Sequence, residues 1–191
     1  MHTIHHTEAI VVRTEPAGEA NKRIWLFTKE FGLIIATVQG VRKPAAKLQN
    51  HISDYSLVDV DLIRGKNAWK LISARVISAP IHGRERTPLA RAYARTIAFL
   101  ERFLVGEGAH EMLFDHVVSA GHVVADDSVD ARMFDALSLW KMLVLLGYAG
   151  ADEDKESLLR LPLKEGVQKM DDHTVKELIR SATTAITNSH L

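Results

Sequence analysis

The segment Ser56-Leu57-Val58-Asp59-Val60-Asp61-Leu62 alternates apolar and polar side chains over most of its length. This alternation is typical of a β-strand that has one buried face and one face in water. Four more short runs of β-branched or aromatic residues surround it within the first 80 residues, namely Thr7–Thr14, Lys22–Thr28, Leu33–Gln39 and Ala68–Ser78. Five short strands are too few for a sandwich, so we predict a small β-barrel, closed or partly closed, which removes exposed strand edges.

The spacing of apolar residues becomes helical after the barrel segment. Thr87-Pro88 is a typical helix start, because threonine caps a helix well and proline suits the first helical position. The segment Leu139–Leu146 is apolar on nearly every side, which is typical of a helix at the centre of a bundle. We therefore predict a β-barrel plus α architecture, with a barrel domain in residues 1–80, a connector in 81–87 and a helical bundle domain in 88–191.

The composition is that of an ordinary folded protein. Hydrophobic residues make up 47% and charged residues 25% of the 191 residues. The chain has no cysteine, which excludes disulfides and thiolate chemistry and fits a reducing cytoplasm. The sequence shows no secretory signal and no apolar run near the roughly 20 residues that span a bilayer. We expect a cytoplasmic protein that does not contact membranes.

The net charge of zero conceals an uneven distribution. Residues 1–80 carry 11 Lys+Arg against 7 Asp+Glu, whereas residues 81–191 carry 13 against 17. No acidic residue occurs from Phe31 to Ser53, and Arg42, Lys43 and Lys47 cluster within that stretch. A local excess of this kind predicts a positive patch on a protein that is neutral as a whole.

Candidate catalytic and metal-binding groups are few. The histidines near the N-terminus lack a carboxylate partner at a fixed spacing. Asp59 and Asp61 either pair over a cation or form the solvated side of a strand. The chain contains no GxSxG, HExxH, P-loop or Gly-rich nucleotide motif. We expect no catalytic activity, no metal and no cofactor.

Basic residues lie next to aromatic ones throughout the predicted barrel. Nucleic-acid binders need cations along the phosphate track and flat rings on which bases stack. By strand alternation Trp25 and Phe27 share a face; we predict Phe27 in the core, and Trp25 either in the core or as a stacking platform. The cations of this region are Lys22, Arg23, Lys29, Arg42, Lys43, Lys47, Lys66 and Lys70, the last two flanking Trp69.

Five segments in a fixed order resemble one protein family. In the first half these are TEAIVVR at Thr7–Arg13, LFTKEFG at Leu26–Gly32 and QGVRK at Gln39–Lys43. In the second half they are Arg132-Met133-Phe134 and, further on, Leu145-Leu146-Gly147-Tyr148. Together they resemble the RecO family of bacterial recombination mediator proteins over roughly residues 5–150.

The resemblance implies an N-terminal five-stranded OB-fold followed by a helical domain, and a protein without enzymatic turnover. RecO-like proteins bind single- and double-stranded DNA, anneal complementary strands, contact the single-strand-binding protein and, with RecR, help to load RecA. Many members carry a cysteine zinc motif, which this chain lacks, so we expect a short variant without zinc. Matching positions imply that Arg13, Arg42 and Lys43 contact DNA.

The charge argument adds further residues to the predicted DNA-binding set, with Trp25 as the candidate ring. These additions are Lys22, Arg23, Lys29 and Lys47. The resulting prediction is a nucleoid-associated mediator of DNA repair and recombination.

Two other functions stay open from the sequence. One is a protein-interaction adaptor that binds the single-strand-binding protein or RecR without strong DNA affinity, which the neutral total charge favours. The other is an unrecognised hydrolase, which is ranked last because no nucleophile–base or metal-ligand spacing is found.

Overall fold

A computed structural model describes residues 3–18, 21–38, 53–66, 68–104 and 106–189, with the side chains of 153 and 154 left aside. Five strands and then six helices follow one another along this part of the chain, and the five strands followed by a helical part are as predicted. The strands are β1 (Ile4–Ala17), β2 (Asn21–Thr28), β3 (Gly32–Val38), β4 (Leu57–Arg64) and β5 (Trp69–Ser78). The helices are α1 (Pro88–Phe103), α2 (Glu111–Val123), α3 (Ala131–Leu145), α4 (Glu153–Arg160), α5 (Leu163–Lys169) and α6 (Asp172–Asn188).

The strands pair in the order β1-β2-β3-β5-β4, and β4 pairs back to β1, which closes the barrel. Four of the joints are antiparallel, and the joint between β3 and β5 is parallel. That parallel joint consists of only two residue pairs, Ala36 with Trp69 and Thr37 with Lys70. The prediction of a small five-stranded barrel is confirmed, and its shortest joint is the one between β3 and β5.

One side chain in every two along the strands points into the barrel. On β2 these are Ile24 and Leu26, which are fully buried. Phe27 is also fully buried, as predicted, but it lies on the other side of β2, where its ring centroid is 5.6 Å from that of Phe114. The buried barrel cluster comprises Ala9, Val11, Ile24, Leu26, Ile34, Ala36, Val38, Val58, Val60, Leu62, Trp69 and Leu71.

The segment Leu104–Phe114, called the return segment below, follows α1 in the chain and packs on the barrel. Glu107 forms a β-bridge with Gly32, and the backbone N–H of Gly108 donates to the carbonyl of Phe31 at 3.1 Å. The contacts within the chain accordingly divide it into two compact units. The barrel unit comprises Met1–His82 and the return segment, and the helical unit comprises Gly83–Phe103 and Asp115–Leu191. This division does not test independent folding. The predicted barrel domain (1–80), connector (81–87) and helical domain (88–191) therefore stay a prediction.

The close approach of Gly32 to Gly108 requires glycine at position 32. A Cβ atom there would lie 2.1 Å from the carbonyl oxygen of Gly108, and the φ of Gly32 is +68°. Both the backbone conformation and the space exclude a side chain.

The helix ends use the capping groups that the sequence indicates. The hydroxyl of Thr87 accepts the N–H of Ala90 at 3.2 Å, which confirms the predicted start of α1. Asp130 and Asp171 cap α3 and α6 in the same manner, through their carboxylates. The central part of α3 is buried on several sides, including Leu137, Trp140 and Leu143, as expected of a helix at the centre of a bundle.

Two titratable groups lie in the interior of the helical unit. Lys141 is 4% exposed, its ammonium donates to the carbonyl of Leu161 at 2.6 Å, and burial lowers the pKa of Lys141 to about 8. The Nε2–H of His116 donates to the carbonyl of Ser138 at 3.0 Å. Burial, reinforced by the nearby Lys141 charge, lowers the pKa of His116 to about 4 despite this hydrogen bond.

The first prediction concerns stability in acid. Because the pKa of His116 is lower in the folded chain than in the unfolded one, the unfolded state binds the additional proton between about pH 6.5 and pH 4. We therefore expect the unfolding free energy to decrease by about 1–3 kcal/mol as the pH falls through that window. Urea unfolding at several pH values checks this.

The control for the acid prediction is a second histidine on the same helix. His116→Gln should flatten the dependence on pH, whereas His122→Gln, at an exposed position of α2, should leave it as in the wild type. An unchanged slope in His116→Gln would contradict the assignment.

The second prediction isolates the backbone contact between Gly32 and the return segment. Gly32→Ala should destabilise the chain by more than about 3 kcal/mol, because it adds a steric clash to the roughly 1–2 kcal/mol cost of a positive φ. Gly18→Ala is the matched control, since Gly18 has φ +77° with open space around it. Equal losses in the two variants, measured by denaturant unfolding, would show that the clash is relieved.

Candidate nucleic-acid interface

The outer face of β1, β2 and β3 carries two cross-strand rows of side chains. In one row Arg13 of β1 lies opposite Trp25 of β2, which in turn pairs with Ile35 of β3. In the next row Glu15 lies opposite Arg23. Because side chains alternate along β2, Arg23 and Trp25 point away from the barrel cluster that holds Ile24 and Leu26.

Arg13 covers the ring of Trp25. Its guanidinium carbon lies 3.4 Å from the ring centroid, and the same guanidinium forms an ion pair with Glu15. Trp25 is only 8% exposed. Of the two interpretations of Trp25, the structure shows a largely buried ring beneath a cation, so that an incoming base would meet the guanidinium plane of Arg13 first.

Lys22 and Arg23 lie at the beginning of β2, where Arg23 belongs to the outer face and Lys22, by alternation, to the side of Ile24 and Leu26. Lys22 is partly exposed and Arg23 is exposed, and Lys22 pairs with Val38 at the end of β3. Lys29 follows the other end of β2. It is therefore separated from Arg23 by roughly 20 Å of extended strand. The structure brings Arg13, Arg23 and Trp25 onto one face of β1 and β2, with Lys22 at the same end of β2, and leaves Lys29 apart from them.

The cations Arg42, Lys43 and Lys47 lie outside the described residues. The chain enters that segment directly after Val38, the residue that pairs with Lys22. Their role in binding DNA stays a prediction from the sequence.

Trp69 is not available as a stacking platform. It is 3% exposed, belongs to the barrel cluster, and its ring lies 5.0 Å from Phe31 and 5.4 Å from His5. Its indole N–H donates to the carboxylate of Glu107 at 3.1 Å. The same carboxylate pairs with Arg64 at 2.9 Å. Neither Arg64 nor Glu107 was predicted from the sequence, because nothing in their local context indicates that residues so far apart in the chain meet.

The outer face of β4 and β5 is organised by pairs of side chains. Asp61 accepts from Ser73 and contacts Nδ1 of His6, both at 2.5 Å, and the Ser73 hydrogen bond holds the pKa of Asp61 below its usual range. Asp59 pairs with Arg75 at 2.8 Å. The two aspartates thus have separate partners and form the solvated side of the strand.

The chemistry of this second face does not match a nucleophilic triad. In a triad the imidazole lies between the hydroxyl and the carboxylate, whereas here Asp61 lies between Ser73 and His6. Among the residues that the structure describes, no group of three His, Cys, Asp or Glu side chains is placed to hold a metal ion. None of the helices in the described residues has the length and the apolar character needed to cross a bilayer.

The fold and the outer face of β1–β3 define the class of protein first. A closed five-stranded barrel followed by helices, with cations and a ring on that face, is an OB-fold domain joined to a helical region. Residues 1–80 match the family described as the N terminal of recombination protein O. The chain belongs to the RecO family, which confirms the resemblance seen in its sequence motifs.

Several curated relatives are similar to the chain. Each of the following is named DNA repair protein RecO. A protein of Dehalococcoides mccartyi is 30% identical over 144 residues, which is 74% of this chain and 56% of the relative. One from another strain of that species is 31% identical over 115 residues, covering 59% and 45%. One of Cutibacterium acnes is 32% identical over 63 residues, covering 33% and 26%. The chain thus spans between about a quarter and just over half of these relatives' lengths.

The third prediction tests the cover over Trp25. Arg13→Ala should increase quenching of tryptophan fluorescence by acrylamide, because it uncovers the ring of Trp25. The other two tryptophans, Trp69 and Trp140, are 3% and 0% exposed and should contribute no change. The lost cation–π contact should reduce the unfolding free energy by about 0.5–2 kcal/mol. Arg75→Ala, which removes an exposed arginine that pairs with Asp59 on the outer face of β4 and β5, should leave quenching unchanged. Equal quenching in Arg13→Ala and the wild type would contradict the stacked geometry.

Proposed function

We propose that this chain is a non-enzymatic DNA-binding mediator of repair and recombination, cytoplasmic and associated with the nucleoid. The observation that carries the proposal is the cluster formed by Arg13 and Arg23 on the outer face of β1 and β2 in an OB-fold, with Lys22 at the same end of β2. OB-folds bind oligonucleotides on the face around their second and third strands. The names of the RecO relatives point to the same role in DNA repair.

The cluster is suited to phosphate rather than to base recognition. Arginine and lysine bind the phosphate backbone of any sequence, and this binding weakens as salt is added. Glu15 neutralises part of the cluster, but the acid-free stretch from Phe31 to Ser53 supplies three more cations directly after β3. We expect the barrel to bind single- and double-stranded DNA with little preference for sequence.

Charge neutralisation also accounts for the proposed annealing activity. Two complementary strands repel each other through their phosphates, and a protein that neutralises both strands reduces that repulsion. In this proposal the barrel holds the strands while the bases stay free to pair. Assistance in loading the recombinase RecA, together with RecR and the single-strand-binding protein as partners, belongs to the same proposal.

An adaptor is the second candidate, and a groove in the helical unit favours it. The groove lies between α3 and α6, has a volume of about 250 Å³, and is apolar along Leu139, Ile179 and Ile186. Ile179 is 47% exposed, and Arg132, which pairs with Asp172, lines the groove together with Asp135. An apolar groove of this kind would accept the apolar residues of the acidic-apolar tail of a single-strand-binding protein, while an acid of the tail would replace Asp172 on Arg132. Binding of that tail without binding of DNA would favour the adaptor.

The fourth prediction tests DNA binding by fluorescence anisotropy across a salt series. With three to five phosphate contacts, log affinity for a single-stranded oligonucleotide should fall against log salt with a slope of roughly −2 to −3.5. The single variant Arg23→Glu and the double variant Arg42→Glu/Lys43→Glu should each weaken DNA binding by a factor that is similar for every oligonucleotide sequence.

The matched control for this reversal of charge is Arg160→Glu. Arg160 is an exposed arginine of α4 that pairs with Glu156, so its reversal changes the net charge equally without touching the barrel. Absence of binding at low salt, affinity that is indifferent to salt, or equal losses in the Arg160 and Arg23 variants would contradict the proposed function.

A further inference from the structure

The return segment places the carboxylate of Glu107 against Arg64 and Trp69, which form a corner of the barrel where β4 ends and β5 begins. One oxygen of Glu107 accepts the indole N–H of Trp69 at 3.1 Å, and the other pairs with Arg64 at 2.9 Å. Arg64 and Trp69 face each other in register at the end of β4 and the start of β5. The two donors therefore bind both oxygens of one oxyanion.

We propose that Arg64, with Trp69 behind it and Lys66 in the adjoining turn, forms a second phosphate site of the barrel, and that the Glu107 carboxylate occupies this site until a phosphodiester of DNA replaces it. The inference rests on the proposed DNA binding and adds to it a site remote from the Arg13–Arg23 face in sequence. Carboxylate and phosphate oxygens accept from the same donors with similar geometry, so one can substitute for the other.

The position of the corner favours DNA as the competing ligand. The turn between β4 and β5 is one of the two loops through which OB-folds contact oligonucleotides. Lys66 is exposed in this turn, and the Arg64 side chain keeps 63% of its surface exposed while it pairs with Glu107. A phosphate can therefore approach Arg64 from solvent.

The ion pair is also weak enough to be exchanged. Glu107 is 43% exposed, and pairs between side chains this exposed contribute little to stability. The backbone of Glu107 nevertheless stays beside the site, because it bridges to Gly32 and is followed by the hydrogen bond from Gly108 to Phe31. Glu107 thus competes continuously with DNA for Arg64, which keeps binding reversible in a protein that must release its DNA.

The experiment uses the anisotropy assay with a single-stranded oligonucleotide and compares the wild type with variants of the corner. Glu107→Gln keeps an oxygen acceptor for Trp69 but removes the charge that neutralises Arg64. It should bind about two- to fivefold more tightly than the wild type at low salt. Its salt slope should be steeper by about 0.7, the contribution of one additional phosphate contact to a single strand.

Further variants separate this site from a general effect of charge. Glu111→Gln removes an exposed carboxylate of the same return segment that forms no ion pair among the described residues, so it should change affinity much less. The double variant Arg64→Gln/Glu107→Gln should bind no more tightly than Arg64→Gln alone. Thermal unfolding of every variant confirms that the folds are comparable.

The outcomes distinguish the inference from the proposed function. Tighter binding by Glu107→Gln that disappears without Arg64 supports the site, as does binding by Glu107→Gln where the wild type binds nothing. Two results would overturn the site and leave the proposed function standing, provided that the wild type binds DNA. In the first, Glu107→Gln gains no more affinity than Glu111→Gln; in the second, Glu107→Gln increases affinity by the same factor when Arg64 is replaced. If no variant binds, both are wrong.

A spectroscopic readout tests the exchange directly. In the wild type, the indole N–H resonance of Trp69 should shift as oligonucleotide is added, because its acceptor or its charged neighbour changes. The resonance should move less in Arg64→Gln, and an unmoved resonance in a wild type that binds DNA would contradict the exchange.

Discussion

The close approach of the Gly32 backbone to the return segment is the contact on which the barrel unit depends. At Gly32 a positive φ and the carbonyl of Gly108 leave no room for a side chain. Because the backbones meet there, Glu107 reaches the corner formed by Arg64 and Trp69, and Phe114 covers the outward ring of Phe27. The barrel is thus completed by residues that lie beyond its last strand in the chain and that come after α1.

Two cations of the barrel, Arg13 and Arg64, are held by carboxylates, which in our proposals a phosphate of DNA replaces. Arg13 lies on Trp25 and pairs with Glu15, and Arg64 pairs with Glu107. Surface pairs of this kind contribute about 1 kcal/mol or less, so they orient the cations in the free protein at little cost to later binding. In our proposal this arrangement lets a protein that is neutral as a whole present positive charge to DNA, which accords with membership of a family whose relatives are named as DNA repair proteins.

Sequence patterns predicted the elements well where the physical signal is local. Alternation in Ser56–Leu62 predicted β4, and the Thr87-Pro88 pair predicted the start of α1, because both depend on a few consecutive residues. The burial of Phe27 was also correct, but its partner is Phe114, and Trp69 is enclosed rather than open to a base. Those outcomes depend on residues tens of positions away, and a single sequence carries no local sign of such contacts.

The sequence by itself determined that five strands precede a helical part, which family the chain resembles, and which cations are concentrated before residue 80. Hydrophobic periodicity, capping and charge density are properties of neighbouring residues, so they can be derived without coordinates. Only the tertiary structure decided that Arg13 covers Trp25, that Lys29 lies apart from Arg23, and that Glu107 meets Arg64. The physical reason is that the strand register and the packing of the return segment on the barrel set these distances. Both result from packing of the whole barrel rather than from the preference of any one segment.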